Sequence, residues 1–182
     1  ASAYALVSLI ERFIKTKAVA QRFILLLGAL IMVGGGIQNL NMINSETVLV
    51  TNSDLLALEW IEQHTPKTAR FFINTVGWSS NTSRGTDGGG WILPITGRWT
   101  IVPTVFYPMS GDESFVRDTA LLGERASVIT ECGEEFWDLV NDARLTYIYI
   151  KEGVGSLQPS ALTSCHGVSQ LVNIQGVHIY LI

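Results

Sequence analysis

The stretch FWDLVNDARLTYIYI, residues 136–150, changes its hydrophobic period partway along. Phe136, Leu139, Val140 and Ala143 recur at i, i+3, i+4 and i+7, which puts them on one face of a helix. Leu145 to Ile150 is instead a short run of β-branched and aromatic residues, the composition of a buried strand. A helix feeding straight into a strand is the unit of an α/β fold, and the sequence on either side repeats it. Upstream, Thr51 and Asp54 have the spacing of a capping box. They open an apolar run of Leu56, Ala57, Trp60 and Ile61 at helical spacing, which Pro66 stops. Ala69 to Thr75 then reads as a buried strand, and after a long Gly/Ser/Thr/Asn segment Asp112 to Ala126 reads as a helix. Downstream, Val168–Ile174 and Val177–Ile182 flank Gln175-Gly176, a hairpin signal. The expected architecture over residues 45–182 is a small α/β sandwich with a mixed sheet and a C-terminal antiparallel hairpin. No internal repeat or low-complexity run is visible.

The first quarter of the chain is different. Residues 23–37 read FILLLGALIMVGGGI, and no charge appears between Arg22 and Glu46. Crossing a bilayer core takes about 20 predominantly apolar residues, which the span 23–44 supplies if Gln38, Asn39 and Asn41 lie at the far interface. A buried helix of a soluble core is the weaker alternative, because Gly34-Gly35-Gly36 would destabilise such a helix in water. A signal peptide is the other rival, but GGGIQNLNM is a poor cleavage site. Arg12, Lys15, Lys17 and Arg22 precede the span, and positive loops stay cytoplasmic. Residues 45–182 are therefore expected outside the cytoplasm, at the cell membrane. Residues 1–22 read as the end of a preceding membrane helix followed by a basic cytoplasmic loop. With Ala1 in place of a start methionine, that points to the end of a polytopic protein.

Charge narrows the function further. Four of the 12 Lys and Arg, but only Glu11 of the 16 acids, fall within the first 22 residues. The remainder is acidic, which excludes a phosphate-backbone-binding surface and hence nucleic acid as a partner.

Few residues resemble a self-sufficient catalytic site. His64, His166 and His178 lack metal-type spacing. Cys132 with Cys165-His166 offers three zinc ligands on paper and no fourth in pattern. No G-x-S-x-G elbow is present. Asp112-Glu113 and Glu134-Glu135 stand at helix starts, where the dipole favours negative charge. No catalytic residue, metal or cofactor is assigned. Outside the cytoplasm a cysteine pair oxidises readily, and Cys132 and Cys165 both stand at the margins of elements, so a Cys132–Cys165 disulfide is expected. Asn81-Thr82-Ser83 matches the N-glycosylation sequon.

A final membrane helix, then DLLALEWIEQHTPKTARFFINT, then GTDGGGWILPITGRWTIVP, then LTYIYI and a closing LVNIQGVHIYLI make a recognisable order. It resembles the C-terminal end of polytopic membrane proteins of the GT-C glycosyltransferase type, relatives of oligosaccharyltransferase catalytic subunits and protein mannosyltransferases. Such proteins carry an acid-x-x-A-x-x-WI-x-x-x-TP-x-x-A unit, a G-x-D-x-G-W-W-x-P-x-x-x-G-R loop and a V-x-I-Y ending. Here Trp91-Ile92 departs from the double tryptophan. The resemblance implies transfer of a sugar from a polyprenyl-phosphate donor to a glycan or protein acceptor at the outer membrane face. It also implies catalytic acids in an early loop outside this chain, with the rest of a polytopic chain and membrane lipid as partners. The alternative is a single-span anchored interaction module without a catalytic role.

Two readings of the glycine-rich loop follow. Asp87, Trp91 and Arg98 are candidates for substrate contact, since rings stack on sugar faces and charged groups bond hydroxyls or phosphate. Alternatively, a buried Asp87–Arg98 pair braces the loop and Trp91 belongs to the core, which is the preferred reading of the two.

Overall fold

The computed structural model describes residues 14, 16–42, 50–79 and 82–182. It divides into two compact units, Ala1–Val48 and Leu49–Ile182. The sequon residue Asn81, residues 1–13 and the last two positions of the expected span lie outside the described residues.

In the first unit, Lys17–Met42 forms one helix, α1. It therefore starts earlier than residue 23 and includes Lys17 and Arg22. Its segment Lys17–Ile37 has a mean hydropathy of 1.9 and is long and apolar enough to cross a membrane. Leu25, Leu26, Leu30, Ile31 and Met32, which point to different sides of the helix, are all exposed, so it is apolar around its circumference rather than along one stripe, as a membrane span is.

The second unit is the α/β domain. In chain order it comprises α2 (Asn52–His64), β1 (Arg70–Ile73), β2 (Thr75–Gly77), β3 (Ser83–Gly85), a 3-10 turn (Gly88–Trp91), α3 (Ile92–Thr96), β4 (Trp99–Thr100) and a second 3-10 turn (Tyr107–Ser110). It continues with α4 (Glu113–Val128), α5 (Glu134–Ala143), β5 (Tyr147–Lys151), α6 (Pro159–Leu162), β6 (Ser169–Ile174) and β7 (Val177–Leu181). Five strands form a mixed sheet in the order β4-β1-β5-β7-β6. β4 and β5 run parallel to β1, and β7 is antiparallel to both β5 and β6. β2 and β3 pair separately as a small antiparallel hairpin.

The register explains the layers. Phe71, Phe72 and Ile73 lie opposite Tyr147, Ile148 and Tyr149, and side chains alternate between faces along a strand. Phe72 meets Phe136 of α5 edge-on at 5.8 Å, so α5 covers the Phe72 and Ile148 face. The Tyr149 hydroxyl reaches Asp54 of α2, so α2 covers the other. Both central strands are buried on both faces, which accounts for their unbroken apolar runs.

The local signals seen in the sequence have physical counterparts. Asp54 accepts hydrogen bonds from the Thr51 backbone N–H and hydroxyl, closing the start of α2. Asp112 accepts from the Phe115 N–H and caps α4. The β6–β7 turn has positive φ at both Gln175 and Gly176, the handedness that two-residue hairpins require. Cys132, before α5, is disulfide-bonded to Cys165, before β6, with their Cα atoms 5.7 Å apart.

Two features differ from expectation. The strand expected over 69–75 is interrupted at Asn74, whose side chain is buried and bonds the Val154 and Leu157 carbonyls and the Leu157 N–H. The long segment after it is not one loop. It holds β2, β3, α3, β4 and both 3-10 turns, elements of two to five residues that are too short to show a period.

Candidate functional site

The glycine-rich stretch lies against the start of α2 and the end of β5. Asp54, fully buried, receives the Tyr149 hydroxyl at 2.6 Å and the Lys151 ammonium at 2.5 Å. Burial pushes its carboxyl up, but the bonds from Lys151, Thr51 and Tyr149 together outweigh it and hold it below the usual range. Burial and the charges of Asp87 and Asp54 push the Tyr149 phenol well up, so it stays protonated and donates.

The glycines are where the loop backbone touches this network. A Cβ on Gly88 would stand 2.5 Å from Asp54 Cβ. One on Gly89 would stand 2.8 Å from Ile73 Cγ2 and 3.0 Å from Tyr149 Cδ1. Both positions thus require a residue without a side chain. Gly90 is different, since its nearest neighbour would be 3.7 Å away, an ordinary contact.

Asp87 caps the first 3-10 turn. Its Oδ1 accepts from the Gly89 N–H at 2.9 Å, and the residue is 2% exposed. Its Oδ2 has no hydrogen-bond partner among the described residues. Burial, reinforced by the Asp54 charge, pushes its carboxyl up to about 7. Desolvation outweighs the Gly89 N–H and the nearby Lys151 charge, so the neutral form is favoured.

Arg98 is also buried, but it does not pair with Asp87. Its guanidinium donates to the Thr96 carbonyl and, at 2.8 Å each, to the Glu62 and Thr65 carbonyls. It thereby satisfies carbonyls at the C-terminal end of α2, where a positive charge is favoured. Trp91 is 47% exposed. The three residues singled out in the sequence are therefore not gathered into one open cluster. The bracing arrangement expected for them is corrected as well: Asp87 and Arg98 brace different elements, and Trp91 is outside the core. Lys151 and Tyr149, which the sequence did not single out, complete the buried network. They lie 97 and 95 residues from Asp54, and no local pattern signals such a pairing.

Other polar groups are used structurally. His64 stacks on Trp60 at 4.7 Å, and burial lowers the His178 imidazole. Among the described residues no group of three or more His, Cys, Asp or Glu is placed to hold a metal ion. A groove of about 870 Å³ opens beside α4, lined in part by Trp78, Ser83, Pro108, Val116 and Leu121. The Arg84 guanidinium lies 4.6 Å from the Trp78 ring centre.

Compared with known proteins, the chain matches no family model and no curated protein. Among solved structures it is similar to the C-terminal globular domain of an oligosaccharyltransferase from Archaeoglobus fulgidus. Sequence identity is 15%, the match covers 72% of this chain and 97% of that one, and the TM-score is 0.46.

Proposed function

We propose that residues 45–182 are the extracytoplasmic domain of a membrane glycosyltransferase-like protein that uses a polyprenyl-phosphate-linked sugar. In this reading α1 crosses the membrane and Arg12, Lys15, Lys17 and Arg22 remain on the cytoplasmic side. The domain assists donor or acceptor binding, and the catalytic acids belong to the rest of a polytopic chain. The observation that carries the reading is the orientation of the GTDGGGWILPITGR stretch. Its glycine backbone is seated on Asp54 and Tyr149, its charged Asp87 and Arg98 point inward, and Trp91 is left open at the surface. An aromatic ring on a rigid backbone suits stacking against a sugar face. Asp87 and Arg98 then act as positioning residues for Trp91.

The burial of both charges also favours a second reading, an anchored interaction module that offers apolar surface and no polar ligand contact. One assay separates the two. Membranes containing the full-length gene product are supplied with a radiolabelled polyprenyl-phosphate sugar and an acceptor. Under the first reading Trp91→Ala reduces transfer while leaving the melting temperature of the domain unchanged. Absence of transfer by the wild-type membranes supports the interaction module instead.

A further inference from the structure

Between Asp87 and Asp112 the only charged residue is Arg98, and Arg98 is buried. Residues 88–111 therefore contribute no charged side chain to the surface. They do contribute exposed Trp91, Ile95, Trp99 and Val105, together with Phe106 at 66% and Met109 at 81% exposure. Two other stretches of the domain lack Asp, Glu, Lys and Arg but expose fewer large apolar side chains, Val76 and Trp78 in 71–83 and Leu171 and Leu181 in 153–182. This stretch runs into and out of β4, which is an edge strand of the sheet. Its apolar side chains thus belong to the two segments that bracket one edge of the domain.

The segment is held rather than loose. Tyr107 is buried, its hydroxyl accepts from the Ser83 N–H at 3.0 Å, and its ring meets Phe115 edge-on at 6.4 Å. Gly111, at φ 76°, ends the 3-10 turn. Anchoring Tyr107 keeps its neighbours Phe106 and Met109 outside. A preorganised surface loses little freedom when it is covered.

The geometry points to a lipid surface as what covers it: the β4 edge of the domain, through Phe106, Met109 and Trp99, rests in the headgroup–acyl boundary of the membrane that α1 crosses. This rests on the membrane-spanning reading of α1. Tryptophan and other aromatics favour that boundary, and the absence of charge lowers the desolvation penalty of entering it. A bilayer is also always within reach. Seven residues separate Met42 from the final stretch beginning at Val50, and a chain of that length extends at most about 25–30 Å. Because 88–111 exposes no Lys or Arg, docking does not depend on anionic lipid.

Both cysteines of these 182 residues are consumed in the disulfide, so in a chain of residues 1–182 an introduced cysteine is the one free thiol for a spin label. The chain of residues 1–182 is reconstituted in phosphatidylcholine bilayers with the label at Met109→Cys, at Leu30→Cys in α1, or at Leu171→Cys on β6, the opposite edge strand. Collision with apolar oxygen and with a water-soluble nickel chelate is then compared. Docking predicts that the Met109 site, like the Leu30 site, favours oxygen, that the Leu171 site favours the chelate, and that adding phosphatidylglycerol changes neither. A Met109 site that favours the chelate while Leu30 favours oxygen overturns the docking and leaves the anchor standing. Shielding of Met109 from both reagents shows a protein contact instead and also overturns it. A Leu30 site that favours the chelate overturns the membrane span and the docking together.

Discussion

Replacing Asp87 with Asn tests the electrostatics of the glycine loop directly. The buried Asp87 carboxyl is raised from 3.8 to about 7, so between those values the folded state holds a proton that the unfolded state has released. Stability must then fall as pH rises through that window, and level off above it. Integrating the linkage relation with these two values gives a loss of about 2–3 kcal/mol between pH 5 and pH 8. Asn keeps an acceptor for the Gly89 N–H and cannot ionise, so the variant lacks this contribution. Other groups titrate too: the lowered Asp54 acts mainly below about pH 4. The lowered His178 acts with the opposite sign, adding stability as pH rises toward its ordinary 6.5. Both cancel in the difference between wild type and variant. All five tryptophans lie beyond residue 59, so denaturant titration followed by tryptophan fluorescence in detergent reports the α/β domain alone. The stability of Asp87→Asn relative to wild type should improve by about 2–3 kcal/mol on moving from pH 5 to pH 8. A difference that stays constant with pH, or moves the other way, refutes a buried carboxyl with a raised pKa.

The run of three glycines should not respond uniformly. Gly88→Ala drives a methyl group into Asp54 and should lower stability by about 2–3 kcal/mol, whereas Gly90→Ala should stay within about 0.5 kcal/mol, both read by the same fluorescence titration. Replacing Cys132 and Cys165 together with Ser opens a loop spanning 33 positions. The chain-entropy relation puts the loss at about 3–4 kcal/mol, and a midpoint unchanged by the double substitution would count against a stabilising role. Gln175 occupies a left-handed backbone position that Asn tolerates better, so Gln175→Asn should raise stability by about 0.5–1 kcal/mol, part of the ~1–2 kcal/mol such a residue costs. A decrease in the melting temperature would show that the Gln175 side chain contributes a contact of its own.

What the sequence determined by itself was local. The change of period at Ala143–Leu145, the Thr51–Asp54 cap, the stop at Pro66 and the Gln175-Gly176 turn each depend on neighbours within a few residues, and each was legible. The apolar run of α1 is of the same kind. The pairing of Cys132 with Cys165 followed from there being only two cysteines to pair. Tertiary structure decided what depends on distant partners. Asp54 had a complete local explanation as a cap, yet it is also the acceptor for Tyr149 and Lys151, which only the stacking of α2 on β5 brings to it. Burial of Asp87 and Arg98 was the preferred expectation, but their partners were not legible: Asp87 bonds the Gly89 N–H and Arg98 the Glu62 and Thr65 carbonyls, rather than each other. Which glycines were needed, 88 and 89 but not 90, depends on how closely one backbone approaches another element. Periodicity records which face of an element is apolar; it does not record what that face meets, and burial of a charge is a property of the meeting.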